Sequence, residues 1–176
     1  MKKVLIALLL TTPFISMAQD AVTQIFEKYK GKDEFTTVYV TQKMFSLLAD
    51  IDVDDPDDQA VLDIIADLTG IKILAYEDST SSSKSRVLYT EIEKSLPLST
   101  YEELLIVNDK DEDVKILIKE SGDKIIELLI LTGSKTEFAL ISLTGLIDLK
   151  QIAKLSETMD IDGMDKLELL NEQEQK

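Results

Sequence analysis

The chain contains no cysteine, no histidine and no tryptophan, and only six glycines and three prolines among its 176 residues. Without cysteine there is no disulfide framework and no thiolate nucleophile. Without histidine there is no imidazole base and no Ser-His-Asp arrangement. A zinc site of the Cys/His type is excluded on the same count. Basic residues are also short: 19 Lys and Arg stand against 34 Asp and Glu, a formal net charge of −15 at pH 7. Such a chain repels phosphate backbones and anionic lipid surfaces, and its scattered basic residues make nucleic acid a poor partner. No Gly-rich phosphate cradle is present. What is present is apolar. Hydrophobic residues make up 44% of the sequence, too many for a disordered chain, in a length that suits one domain and not two.

The first eighteen residues read as an export signal. Lys2 and Lys3 precede the apolar run Val4 to Leu10, Thr11, Thr12 and Pro13 break it, and Ser16-Met17-Ala18 supplies small residues for a signal peptidase. The run is too short to span a bilayer, which takes about 20 apolar residues. No cysteine follows it, so lipid attachment there is excluded. Cleavage after Ala18 leaves 158 residues from Gln19 onward, with 17 basic and 34 acidic side chains and a net charge of −17. The expected product is periplasmic or extracellular, with no stable membrane insertion once the signal is removed. Residues 19–159 are expected to form a single domain and 160–176 an acidic, frayed tail.

Along the mature chain, Asp20 is placed to cap a helix carrying Val22, Ile25, Phe26 and Tyr29, which Gly31 ends. Phe35 to Val40 reads as a strand. Thr41 is placed to cap a short helix with Met44, Phe45, Leu47 and Leu48. Asp50 to Asp67 holds eight aspartates and no basic residue, yet Val61, Ile64, Ile65 and Leu68 draw an apolar stripe, so its second half is expected to be an amphipathic helix ending at Gly70. Ile71 to Tyr76 is the next strand, and Asp78 to Ser85 a polar, serine-rich connection. Arg86 to Leu96 is expected to be helical until Pro97 stops it.

From Tyr101 the period changes to two. Leu104 to Val107, Val114 to Lys119, Ile125 to Leu131 and Phe138 to Thr144 are separated by short polar turns, the pattern of an antiparallel meander. Asp148 then caps a helix with Leu149, Ile152 and Leu155. The whole points to an α+β fold, a largely antiparallel sheet whose C-terminal part is a four-strand meander, with amphipathic helices packed on it. Ile125 to Leu131 and Phe138 to Leu143 are apolar at both alternating sets of positions, so both faces of the sheet's middle are expected to be covered, by helices or by a second copy.

Candidate chemistry is thin. Asp109, Asp111, Asp113 and Glu120 occupy positions one, three, five and twelve of an EF-hand-like calcium loop, but Val114 stands where that loop needs glycine, and the alternation of Val114, Ile116 and Ile118 is that of a strand. Six aspartates between Asp50 and Asp58 lack a placed bidentate partner and turn glycine, and read as a self-repelling solvated loop. Ser81-Ser82-Ser83-Lys84 and Ser121-Gly122-Asp123-Lys124 both match S-x-x-K, but neither opens a helix and no K-T-G element accompanies them. No catalytic, cofactor-binding or metal-ligating residue is assigned.

Tyr101-Glu102-Glu103-Leu104, the segments Val114 to Glu120 and Ile126 to Ile130, and Phe138 to Leu149, together with the early Phe35 to Val40 strand, resemble one family, the exported domain of unknown function 4252 of Bacteroidetes. The resemblance covers nearly the whole mature chain. It implies an envelope or secreted location and no activity. Gly145 and Asp148, its most recognisable positions, are expected to be a strand exit and a helix N-cap. The expectation is therefore a non-enzymatic exported interaction or binding protein with a protein partner or self-association. The alternative is a periplasmic hydrolase working through carboxylates alone, which requires two acids in one cleft.

Overall fold

The computed structural model describes residues 21–49, 56–77 and 83–152. The signal at 1–18, the Asp20 cap, most of the Asp50–Asp58 run, the serine-rich segment 78–82, Leu155 and the acidic tail lie outside the described residues.

Helix α1 (Ala21–Tyr29) buries Val22, Ile25, Phe26 and Tyr29 on one face, as their spacing dictates. Gly31 follows with φ +77°, a left-handed position that stops the helix at little steric cost. Strand β1 (Phe35–Thr41) leads into α2 (Gln42–Ala49), where Phe45 is the buried residue. Next come α3 (Pro56–Ala66), β2 (Leu68–Glu77) and α4 (Lys84–Ser95). A short 3-10 turn at Leu98–Thr100 precedes the meander β3 (Glu102–Asn108), β4 (Glu112–Ser121), β5 (Lys124–Ser134) and β6 (Glu137–Ile147). A helical turn opens at 149–152. Asp148 caps it, its Oδ1 accepting the backbone N–H groups of Lys150 (2.9 Å) and Gln151 (3.2 Å).

The six strands form one sheet in the order β1-β2-β6-β5-β4-β3, every neighbouring pair antiparallel. The α+β fold and its C-terminal meander are those expected from the sequence. The doubly apolar runs in β5 and β6 have a direct cause: helices cover both faces. On one face Leu128, Ile130, Ile141 and Leu143 join Phe45 of α2 and Ile65 of α3. On the other, Leu129, Leu131, Phe138 and Leu140 join Val22 and Ile25 of α1 and Leu88 and Ile92 of α4. The sheet's middle therefore needs no second copy to cover it.

Three local expectations are corrected. The third helix ends at Ala66, so Leu68 and Gly70 belong to β2, paired with Gly145 and Thr144 of β6. The apolar stripe does converge there, because Leu68 enters the same cluster as Ile65, but sheet pairing overrides continuation of the helix. Ser85 is not in a surface connection. It is fully buried in the first turn of α4, where its hydroxyl donates to the Ser134 carbonyl at 2.7 Å and pins the helix to β5. Gly145 is not a strand exit either. It lies inside β6 at φ +136°, opposite irregularities in the pairing with both β2 and β5.

Helix α4 is fixed to the meander by an ion pair between Glu93 and Lys115 of β4 (3.1 Å) and by the ring of Tyr89 lying against Gly133. The Tyr89 hydroxyl is buried with no hydrogen-bond partner among the described residues, and burial pushes its proton affinity well above that of an ordinary phenol. Removing an unsatisfied buried hydroxyl relieves a desolvation penalty. Tyr89→Phe is therefore expected to raise unfolding stability by about 1 kcal/mol in urea titration. A loss of similar size would show that the hydroxyl is satisfied.

Candidate functional site

Three places concentrate polar or unpaired groups. The first is a row across the α1/α4 face of the sheet. Register sets Tyr39 of β1 opposite Lys72 of β2, and Lys72 opposite Ser142 of β6. Glu127 of β5 lies opposite both Thr144 and Lys119. Glu127 is only 6% exposed. A buried carboxylate is stabilised by donors, and two hydroxyls reach it: Ser142 Oγ donates to Oε1 at 3.2 Å and Tyr101 OH to Oε2 at 3.0 Å. The flanking ammonium groups rest on rings, Lys119 at 5.6 Å from Tyr101 and Lys72 at 5.4 Å from Tyr39, and Lys72 donates to Thr23 Oγ1 of α1 at 3.0 Å. Ser142 is buried along with Glu127, so the hydroxyl offers a substrate no approach. This row locks β4, β5, β6 and the Tyr101 segment together. Its sequence signal was a single acid within an otherwise apolar strand, and reading Glu127 only as part of a strand pattern missed it.

The second is an open concavity of about 610 Å³ at one end of the sheet, lined by Asp67, Asp123, Lys124, Leu146, Asp148 and Lys150 among others. Gly145 brings its walls together. A Cβ there would lie 2.3 Å from the Asp67 carbonyl oxygen, which accepts the Leu146 N–H at 3.0 Å. The Asp148 carboxylate is engaged in its helix cap. Among the described residues, no three acids come close enough together to share a metal ion.

The third is the outer edge of β1. Its seven residues Phe-Thr-Thr-Val-Tyr-Val-Thr carry no charge, and among the described residues only β2 lies beside it in the sheet order. Val38 and Tyr39 on this strand, and Met44 and Leu47 on the helix that follows it, are exposed large apolar side chains. The opposite edge is built differently. Strand β3 opens with Glu102 and Glu103 and its register slips between Glu103 and Leu105. Charges and bulges are the usual means of blunting an edge against pairing.

The residues singled out from the sequence do not converge. Asp109 Oδ1 accepts the N–H groups of Asp111 (2.6 Å) and Glu112 (2.8 Å), and these bonds lower its proton affinity below that of a free carboxylate. Asp111 pairs with Lys135 at 3.1 Å, Asp113 faces Arg86 at 3.9 Å, and Val114 is in the core. The cluster is a hairpin turn whose carboxylates are used in holding it. Ser121 to Lys124 is the β4–β5 turn, with Gly122 at φ +64°. Lys84, which ends the other S-x-x-K match, is the first residue of α4, so this match does run into a helix, contrary to expectation. Its ammonium is held in an ion pair with Glu34 at 2.8 Å, which raises the lysine's proton affinity. Between α1 and α4, a hydrogen bond from Lys28 to Glu91 holds the carboxyl below its ordinary range and the ammonium above its own. That contact ties two helices together at the surface.

Among known families, the model of the one described as Domain of unknown function (DUF4252) matches residues 29–155. No curated protein and no solved structure matches the chain.

Proposed function

Because the chain belongs to this family of domains of unknown function, we propose from its own surface that it is a non-enzymatic interaction protein, exported to the periplasm or beyond, that binds an extended strand of a protein partner along β1. The observation that carries this reading is the uncharged outer strand, which among the described residues has a neighbouring strand on one side only and four exposed apolar side chains on or beside it. Adding a strand to such an edge supplies main-chain hydrogen bonds for affinity and alternating side-chain positions for selectivity. Export is supported by the Lys2 to Ala18 signal pattern. The carboxylate hydrolase is the weaker reading. Its best location is the open concavity, where three aspartates line the walls and one of them caps a helix.

The test is capture from the cell envelope with the tagged chain and with its Val38→Lys variant, read by mass spectrometry. A partner retained by the unaltered chain and lost with the variant supports strand addition at β1. Equal retention by both contradicts it.

A further inference from the structure

Resting on the reading of β1 as a binding edge, we propose that the strand it takes up is acidic on one side: an extended protein segment that sets apolar residues beside Val38 and a glutamate or aspartate beside Tyr39, where Lys72 recognises it.

The two sides of β1 differ. Val40 packs in the α2/α3 cluster, and Val38, with the same parity in the strand, points to that side as well. Tyr39 points to the other side, where its ring meets the edge of Phe26 of α1 at 6.1 Å between centroids. A strand laid along β1 continues both faces, because side chains alternate across a sheet. On the α2 side its residues meet Val38, an exposed apolar neighbour. On the α1 side they meet Tyr39, 53% exposed, and behind it Lys72, the residue of β2 paired with Tyr39.

Charge selects what fits beside Tyr39. The chain as a whole is acidic, at −15, but this edge is not. Phe35 to Ala49 and Leu68 to Tyr76 contain one charged residue each, Lys43 and Lys72, both positive. Lys28, Lys30, Lys84, Lys115 and Lys135 each sit against a carboxylate. Lys43 and Lys72 have none within ion-pair distance among the described residues. Lys72 is the telling one, because it is half-buried. Its ammonium donates to the Thr23 hydroxyl at 3.0 Å and lies 5.4 Å from the Tyr39 ring, which brings the charge toward the edge. A partly desolvated cation gains most from a carboxylate, and here the chain supplies none of its own.

The neighbouring acids are too far along the strand to cancel this charge. Asp33, Glu34 and Glu77 lie at the Phe35 end, where Phe35 pairs with Tyr76, and Glu34 is already held by Lys84. From Phe35 to Tyr39 is about 13 Å of strand, beyond the screening length of about 8 Å at physiological salt. A residue added beside Tyr39 stands roughly 10 Å from the Lys72 backbone, a gap that a lysine stem and an acidic side chain close from its two ends.

The test is fluorescence anisotropy of labelled synthetic peptides with alternating Val-Glu, Val-Gln or Val-Lys sequence, titrated with the purified full chain and its Lys72→Gln, Lys72→Arg and Val38→Lys variants. Bulk attraction to a chain of charge −15 favours the Val-Lys peptide, so the proposal predicts the opposite order. The Val-Glu peptide is expected to bind the unaltered chain about tenfold more tightly than Val-Gln, with Val-Lys weakest. Lys72→Gln should abolish the preference for Glu over Gln, and Lys72→Arg should keep it. Circular dichroism and melting of each variant establish that it folds. Equal binding of the Val-Glu and Val-Gln peptides, a preference that survives Lys72→Gln, or no binding of Val-Glu at hundred-micromolar concentration overturns the proposal. If all three peptides bind alike and all are lost on Val38→Lys, the acidic partner is excluded and the reading of β1 as a binding edge stands. If none binds and the unaltered chain sediments as a dimer that Val38→Lys dissociates, the edge takes a second copy instead, which also overturns the proposal.

Discussion

Gly145→Val is expected to be the most damaging single substitution in the described structure, lowering unfolding stability by about 3 kcal/mol or more. Two separate penalties add there. At φ +136° a β-branched residue is strained whatever space surrounds it. A Cβ would also stand 2.3 Å from the Asp67 carbonyl oxygen and 2.7 Å from the Leu68 Cα. These atoms are backbone at the α3–β2 junction, and no side-chain rotation relieves the collision. The strand has to move away, taking with it the Leu146 N–H bond to Asp67 and the entry of Leu68 into the core. The measurement is chemical denaturation beside Gly122→Val, whose glycine also has positive φ but has open space around it. A milder loss at 122 and a larger one at 145 separate strain from collision. Equal losses would show that backbone strain alone accounts for the effect.

Leu128→Ala and Leu129→Ala, made separately, are each expected to cost about 3 kcal/mol. Neighbours in a strand point to opposite faces, so a sheet covered on one side tolerates one of the two changes. Here both side chains are fully buried, Leu128 against the α2/α3 cluster and Leu129 against the α1/α4 cluster. Equal large losses in urea titration support coverage of both faces by the chain's own helices. A change of less than 1 kcal/mol at either position would mean that one face is open.

Much of this organisation was legible because burial imposes periodicity. The stripe Val22, Ile25, Phe26, Tyr29 specified α1, and the unbroken apolar runs of β5 and β6 announced two covered faces. Failures cluster where tertiary pairing competes with local preference. Gly70 looks like a helix terminator, but it is a strand residue, and a Cβ there would come within 3.0 Å of the Thr144 hydroxyl oxygen. Ser85 looks like a loop serine, and its burial depends on a carbonyl 49 residues away. Gly145 answers to the approach of Asp67, which no local pattern encodes. The outer edge of the sheet was the least legible of all. Phe35 to Val40 reads as a strand, but its residues carry no mark of an edge: a run free of charge suits an interior position, and only the strand order reveals that it is outermost.

That contradiction between an interior-like sequence and an outer position is the centre of the account. Amide hydrogen exchange, followed by mass spectrometry on the purified chain, tests it most directly. Peptides spanning 35–41 are expected to exchange well ahead of those spanning the central strand β5, 124–134. Equal protection of the two strands would contradict it.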